Sequence, residues 1–120
     1  MKHEEDDIQS AFFDWVRLAQ HKFPDLALMF HPANGGQRNI REAARLKKQG
    51  VISGVPDVMF PRSNSIFHGL AIEFKSKTGK LSKNQAEYID MLILNNWSVH
   101  VCHDARAAVE IVKKYIGETQ

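Results

Sequence analysis

The sequence predicts an α/β fold, a single domain whose mixed β-sheet is flanked by helices, and three observations lead there. Short apolar runs rich in strand-favouring residues stand at 57–60 (Asp-Val-Met-Phe) and 69–75 (Gly-Leu-Ala-Ile-Glu-Phe-Lys). Longer stretches before and after them repeat apolar residues at helical spacing. The chain has 120 residues, enough for one core without staples, and shows no internal repeat, linker or low-complexity tract.

In chain order, residues 5–22 form the first helix, with Ile8, Ala11, Phe12, Trp15, Val16 and Ala19 on one stripe. Lys22-Phe23-Pro24-Asp25 ends it. Leu26 to His31 is a short apolar run that stops at Pro32, and is expected as a strand. Asn34-Gly35-Gly36 signals a turn. Residues 38–49 are expected as a helix, with Gly50 where a C-terminal stop belongs. The strands at 57–60 and 69–75 follow, separated by the polar loop around Pro61-Arg62-Ser63-Asn64-Ser65. Ser76 to Lys80 is a turn, Ser82 opens a helix to about Asn95, Ser98 to His103 is a strand, and Asp104 caps a last helix to about Ile116.

Composition sets outer limits. Hydrophobic residues at 43% and charged residues at 25% are ordinary for a globular protein. A net charge of +2 confines any nucleic-acid surface to local patches. A single cysteine, Cys102, forbids an internal disulfide and suits a reducing compartment. No apolar run approaches a membrane span and the acidic N-terminus is unlike a secretion signal, so a cytoplasmic protein is expected.

The residues richest in chemistry are Asp57, Glu73 and Lys75. Side chains alternate along a strand, so Leu70, Ile72 and Phe74 face one way and Ala71, Glu73 and Lys75 the other. A carboxylate and an ammonium on an otherwise apolar strand are costly to bury unless they pair or hold a metal. With Asp57 on the neighbouring strand, the set suits a hard divalent cation with a lysine beside it, the equipment for phosphodiester hydrolysis. Each residue has an ordinary explanation alone. Asp57 could shape the turn after Pro56, and Glu73 with Lys75 could be a same-face pair of little energetic weight.

Other residues carry competing readings. At roughly 100° per residue, Glu5 falls on the core-facing stripe with Gln9 one turn on, whereas Asp6 and Asp7 rotate away and suit the helix dipole. Gln85 completes the Ser-x-x-Gln capping box that begins at Ser82. Arg38, Arg41, Arg45 and Lys48 share one helical face, which could track phosphates or simply be solvated. Lys77, Lys80 and Lys83 crowd the loop after Lys75, which favours the DNA-binding alternative. His100-Val101-Cys102-His103 splits its ligands between two strand faces and has no second cysteine, so a buried core cysteine is expected there instead of zinc. There is no nucleophile elbow, phosphate-binding loop or dinucleotide fingerprint.

Gly-Val-Ile-Ser-Gly-Val-Pro-Asp at 50–57, Ile72-Glu73-Phe74-Lys75 and Leu81-Ser82-Lys83-Asn84-Gln85 closely resemble the virus-type replication-repair nuclease domain (VRR-NUC) of the PD-(D/E)xK nuclease superfamily. The resemblance runs from Glu5 to about Ile116 and takes in Glu5 with Gln9 and the Asn34-Gly35-Gly36 turn. It implies a restriction-endonuclease-like core in the order αβββαβ, with the basic helix inserted between the first two strands. It further implies that Asp57 and Glu73 bind a catalytic Mg2+ (Mn2+ substituting), with the Phe74 carbonyl as a further ligand and Glu5 completing the shell directly or through water. Lys75 would orient or activate the attacking water, and Gln85 would support the site or touch a phosphate. One departure is visible: Asn95-Asn96-Trp97 replaces the glycine usual before the last core strand, which should alter a turn and spare the chemistry.

Stand-alone chains of this kind resemble dimeric enzymes that cut four-way (Holliday) DNA junctions, leaving 5′-phosphate and 3′-hydroxyl ends. The expectation is therefore a homodimeric, metal-dependent endonuclease acting on branched DNA, in DNA repair or in a bacterial or phage-infected cytoplasm. A flap, single-strand or restriction-type nuclease, or a junction-binding module without catalysis, stands as the alternative.

Overall fold

The computed structural model describes residues 2–33 and 39–117. Helix α1 spans Lys2–Ala19, α2 Ile40–Lys48, strand β1 Val58–Phe60, β2 Gly69–Phe74, α3 Lys83–Leu94, β3 Trp97–Cys102 and α4 Ala105–Gly117. The sheet order is β1-β2-β3. β1 runs antiparallel to β2, with Val58 opposite Ile72, while β3 runs parallel to β2, with Glu73 opposite Val101. A parallel neighbour needs a crossover, and α3 supplies it. This is the expected mixed sheet flanked by helices. Among the described residues, no helix is long and apolar enough to cross a membrane.

The strand expected at 26–31 is replaced by a 3₁₀ turn over Pro24–Leu28 and one antiparallel bridge, Phe30 to Met59. Two prolines explain the difference. Pro24 opens the turn at a position where its missing N–H is no loss. Phe30 and Met59 exchange both main-chain hydrogen bonds, at 3.0 and 2.9 Å. By the antiparallel alternation the next such pair would be Pro32 with Asp57, and Pro32 has no N–H to give. Leu26 is still fully buried, so its apolar character serves the core from a turn instead of a strand.

The helix ends follow local chemistry. Asn39 caps α2 by accepting from Glu42 N at 2.7 Å. Beyond its C-terminus Gly50 takes φ +104°, while Gly50 N reaches Lys47 O and Val51 N reaches Leu46 O, both at 3.0 Å. That is a Schellman stop, and it needs the left-handed backbone glycine accepts. Asp104 caps α4 by accepting from Ala107 N at 2.7 Å.

One core holds these elements together. Phe12 and Val16 of α1 and Ala108, Val112, Tyr115 and Ile116 of α4 pack on Leu70, Ile72 and Phe74. The Phe12 and Phe74 rings meet edge to face at 5.5 Å. α3 packs on β3 and reaches the other face through Gln85. β2 is thus buried along its whole length, Glu73 included.

Candidate active site

Asp57 stands immediately before β1 and Glu73 in β2, and their main chains and carboxylates interlock. Glu73 Oε1 accepts from Asp57 N at 3.3 Å, while Asp57 Oδ2 accepts from Phe74 N at 2.8 Å. Met59 gives both main-chain groups to Phe30, so by alternation Val58 and Phe60 turn theirs toward β2. Beyond Val58 the next position facing β2 is Pro56, opposite Phe74, and it is fully buried and has no N–H. The ladder therefore offers the Phe74 carbonyl no donor at this edge, while the Phe74 N–H goes to the Asp57 carboxylate. Proline immediately before the aspartate thus leaves a main-chain carbonyl unclaimed by the ladder on that edge.

Glu73 is 2% exposed. Its Oε2 lies 3.4 Å from Lys75 Nζ and accepts from Gln85 Nε2 at 3.0 Å. Lys75 follows β2 directly, and its N–H continues the parallel ladder to Cys102 O at 3.0 Å. Burial drives the Glu73 carboxyl up to about 7, helped by the negative charge of Asp57 and opposed by Lys75. Asp57 is also raised, mainly by burial; the Phe74 N–H, His31 and Lys75 pull it back, and Glu5 pushes it further up. Both shifts are led by burial, and a cation placed between the carboxyls would favour their charged forms.

Glu5 borders this pair. Its Oε2 accepts from Ser76 N at 3.2 Å, which explains a glutamate on the core-facing side of α1. Among the described residues, no three or more His, Cys, Asp or Glu side chains gather into a group that could hold a metal ion. The donors that do converge are two carboxylates, with a main-chain carbonyl alongside. That set fits magnesium, which keeps several waters and binds through one or two carboxylates together with substrate phosphate.

Gln85 is both a capping residue and a site residue. Its Oε1 accepts from Ser82 N at 2.9 Å, and the same amide donates to Glu73. The loop before Asp57 is fastened to this helix start by Asn84 Nδ2 donating to Ser53 Oγ at 2.8 Å.

The basic residues are less concentrated. Lys77, Lys80 and Lys83 are exposed on the loop after Lys75 and the first turn of α3. Arg41, Arg45 and Lys48 are exposed on α2, a helix with no buried residue, where Arg45 pairs with Glu42 at 2.7 Å. Arg38 and the Asn34-Gly35-Gly36 turn lie outside the described residues. Cys102 is buried, with its thiol pushed up to about 11 by burial, and His103 Nδ1 lies 3.1 Å from Ser76 O and 3.2 Å from Lys75 O. Among the described residues, neither stands in a group of three or more His, Cys, Asp or Glu side chains.

Sequence reasoning missed His31. Its Nδ1 lies 2.7 Å from the Asp57 carbonyl. Only the register of the Phe30–Met59 bridge reveals that contact, and no local pattern announces it.

Comparisons with known proteins bear on the family and the fold. The VRR-NUC domain family model matches residues 1–105. A solved structure described as a VRR_NUC domain protein superposes with a TM-score of 0.80 at 26% identity, covering 98% of this chain and 91% of that one. None of the curated proteins compared gives a match.

Proposed function

This chain belongs to the VRR-NUC domain family, and from that premise we propose that its nuclease-type fold serves as a divalent-metal-dependent endonuclease on branched DNA, four-way junctions first among them. The observation that carries the reading is the convergence of Asp57 and the buried Glu73 beside Lys75, 3.4 Å from Glu73.

Asp57, Glu73 and the Phe74 carbonyl would hold the cation, with Glu5 reached directly or through water. When bound, magnesium supplies Lewis acidity to the scissile phosphate and lowers the pKa of an attacking water. The remaining work falls to the chain itself. Lys75, with Nζ 3.4 Å from Glu73 Oε2, would offer positive charge to the negative charge that develops in the transition state and would orient the attacking water. Gln85 fixes the orientation of the Glu73 carboxylate through Nε2. Lys77, Lys80 and Lys83 offer exposed charge to phosphates beside the site, and Arg41, Arg45 and Lys48 a second basic face on α2.

Cutting both strands of a junction calls for two sites related by a two-fold axis, hence a homodimer.

The test is cleavage of a labelled four-way junction beside linear duplex of the same sequence, with and without Mg2+ or Mn2+. Paired, metal-dependent nicks confined to the junction are expected. Equal cutting of both substrates would remove the junction assignment and keep the nuclease. Junction binding with no cleavage under either metal would favour a recognition module.

A further inference from the structure

The Asp57 carbonyl has lost its natural partner. In the antiparallel register set by Phe30 and Met59, the N–H of residue 32 would donate to it, and residue 32 is proline. A main-chain carbonyl without a donor is a cost the fold avoids where it can. The His31 imidazole takes the vacant place, with Nδ1 2.7 Å from Asp57 O. A carbonyl only accepts, so Nδ1 carries the proton, and that bond fixes the tautomer of the ring.

Pro32 keeps its carbonyl, yet Asp57 N donates to Glu73 Oε1. One residue therefore has its carbonyl on His31, its N–H on Glu73 and its carboxylate on Phe74 N. Three anchors, one from the segment before Pro32 and two from β2, determine where the free oxygen of Asp57 points.

We propose that His31 is a positioning residue of the candidate metal site: by replacing the ladder donor that Pro32 lacks, it sets the Asp57 main chain so that both carboxylates face one cation. The inference rests on the metal-dependent reading above. His31 acts through Asp57, with neither the cation nor DNA as its direct partner.

The consequence is specific. His31→Ala removes the donor, and Asp57 can then rotate its peptide toward water. His31→Asn keeps a side-chain N–H that can reach the same carbonyl, because the Asn amide nitrogen stands near the position of Nδ1. Outer supports of metal ligands change affinity by about 10–100-fold when removed.

The experiment titrates Mn2+ into the full chain by calorimetry for wild type, His31→Ala and His31→Asn, with circular dichroism to compare folds and steady-state cleavage kinetics alongside. His31→Ala is expected to weaken Mn2+ binding about tenfold or more and to lower kcat at fixed Mn2+ with KM for DNA unchanged. His31→Asn should recover most of both losses. Equal Mn2+ affinity in wild type and His31→Ala would overturn the inference while leaving the nuclease reading in place. So would a rise in KM alone, which would make His31 a DNA contact, or an unfolded His31→Ala without recovery in His31→Asn. A wild-type chain that binds no Mn2+ would overturn the metal-dependent reading and this inference with it.

Discussion

Gln85 holds Glu73 with one end of its amide and its own helix start with the other. Nε2 lies 3.0 Å from Glu73 Oε2, and Oε1 accepts from Ser82 N at 2.9 Å. The orientation is forced, because a carboxylate accepts and a main-chain N–H donates. Capping and site support are therefore one role. The helix start that stabilises α3 also aims the donor that steadies a buried carboxylate.

A Gln85→Glu variant separates the two ends. Glutamate can still accept from Ser82 N, so the capping box survives and the unfolding free energy should stay within about 1 kcal/mol of wild type. At Glu73, however, a donor becomes a like charge or a competing proton. Single-turnover cleavage should fall about 10–100-fold. Wild-type cleavage by a variant with lowered stability would reduce Gln85 to a cap.

Glu73 predicts how metal-free stability responds to pH. Burial pushes its carboxyl up to about 7 in the folded chain, against an ordinary value of 4.5. The folded state thus binds more proton than the unfolded state between these values. Its contribution to stability is full below about 4.5 and is lost as pH rises through about 7. Asp57 is shifted in the same direction. Urea unfolding without divalent cations should give stability that declines from pH 5 to pH 8 by roughly 1–3 kcal/mol. Glu73→Gln should flatten that decline, and millimolar Mg2+ should offset it at pH 8. A metal-free profile that rises over this range would contradict the raised carboxyl.

Much of this was legible in the residues, and the exceptions share a cause. Helical periodicity and capping chemistry are local, so α1, α3 and α4 fall close to where Ile8 to Ala19, Ser82 and Asp104 put them. Asp57, Glu73, Lys75 and Gln85 lie in contact because strand alternation and one capping box fix their directions. The run from Leu26 to His31 misled because its apolar residues satisfy a turn as well as a strand, and prolines at 24 and 32 decide between them. His31 was invisible for the same reason: its partner is set by register, which is a tertiary property. The missing glycine before β3 proves tolerable, since Asn96 itself takes φ +63° and its Nδ2 donates to Ile66 O at 2.8 Å. Asparagine is among the few residues that enter that region at modest cost.

Gly54 is where a single methyl should do the most damage to the site. Its φ is +91°, and an added Cβ would lie 2.6 Å from Asn84 O and 2.7 Å from Asn84 C. Those are main-chain atoms of the first turn of α3 and cannot swing aside as a flexible side chain could. Gly50 provides the control, because it too has positive φ, +104°, but an added Cβ there meets nothing within 4 Å. Gly50→Ala should therefore cost only the backbone penalty, roughly 1–2 kcal/mol, and leave cleavage per folded molecule unchanged. Gly54→Ala adds a clash between two main chains, on the loop that leads to Asp57 and against the helix that carries Gln85. It should cost about 3 kcal/mol or more and reduce cleavage per folded molecule at least tenfold, since any relief of the clash separates Asp57 from Gln85 and Glu73. Chemical denaturation and active-site-normalised cleavage of both variants test this. Equal losses in the two would mean that the contact between the loop and α3 has no part in aligning the carboxylates.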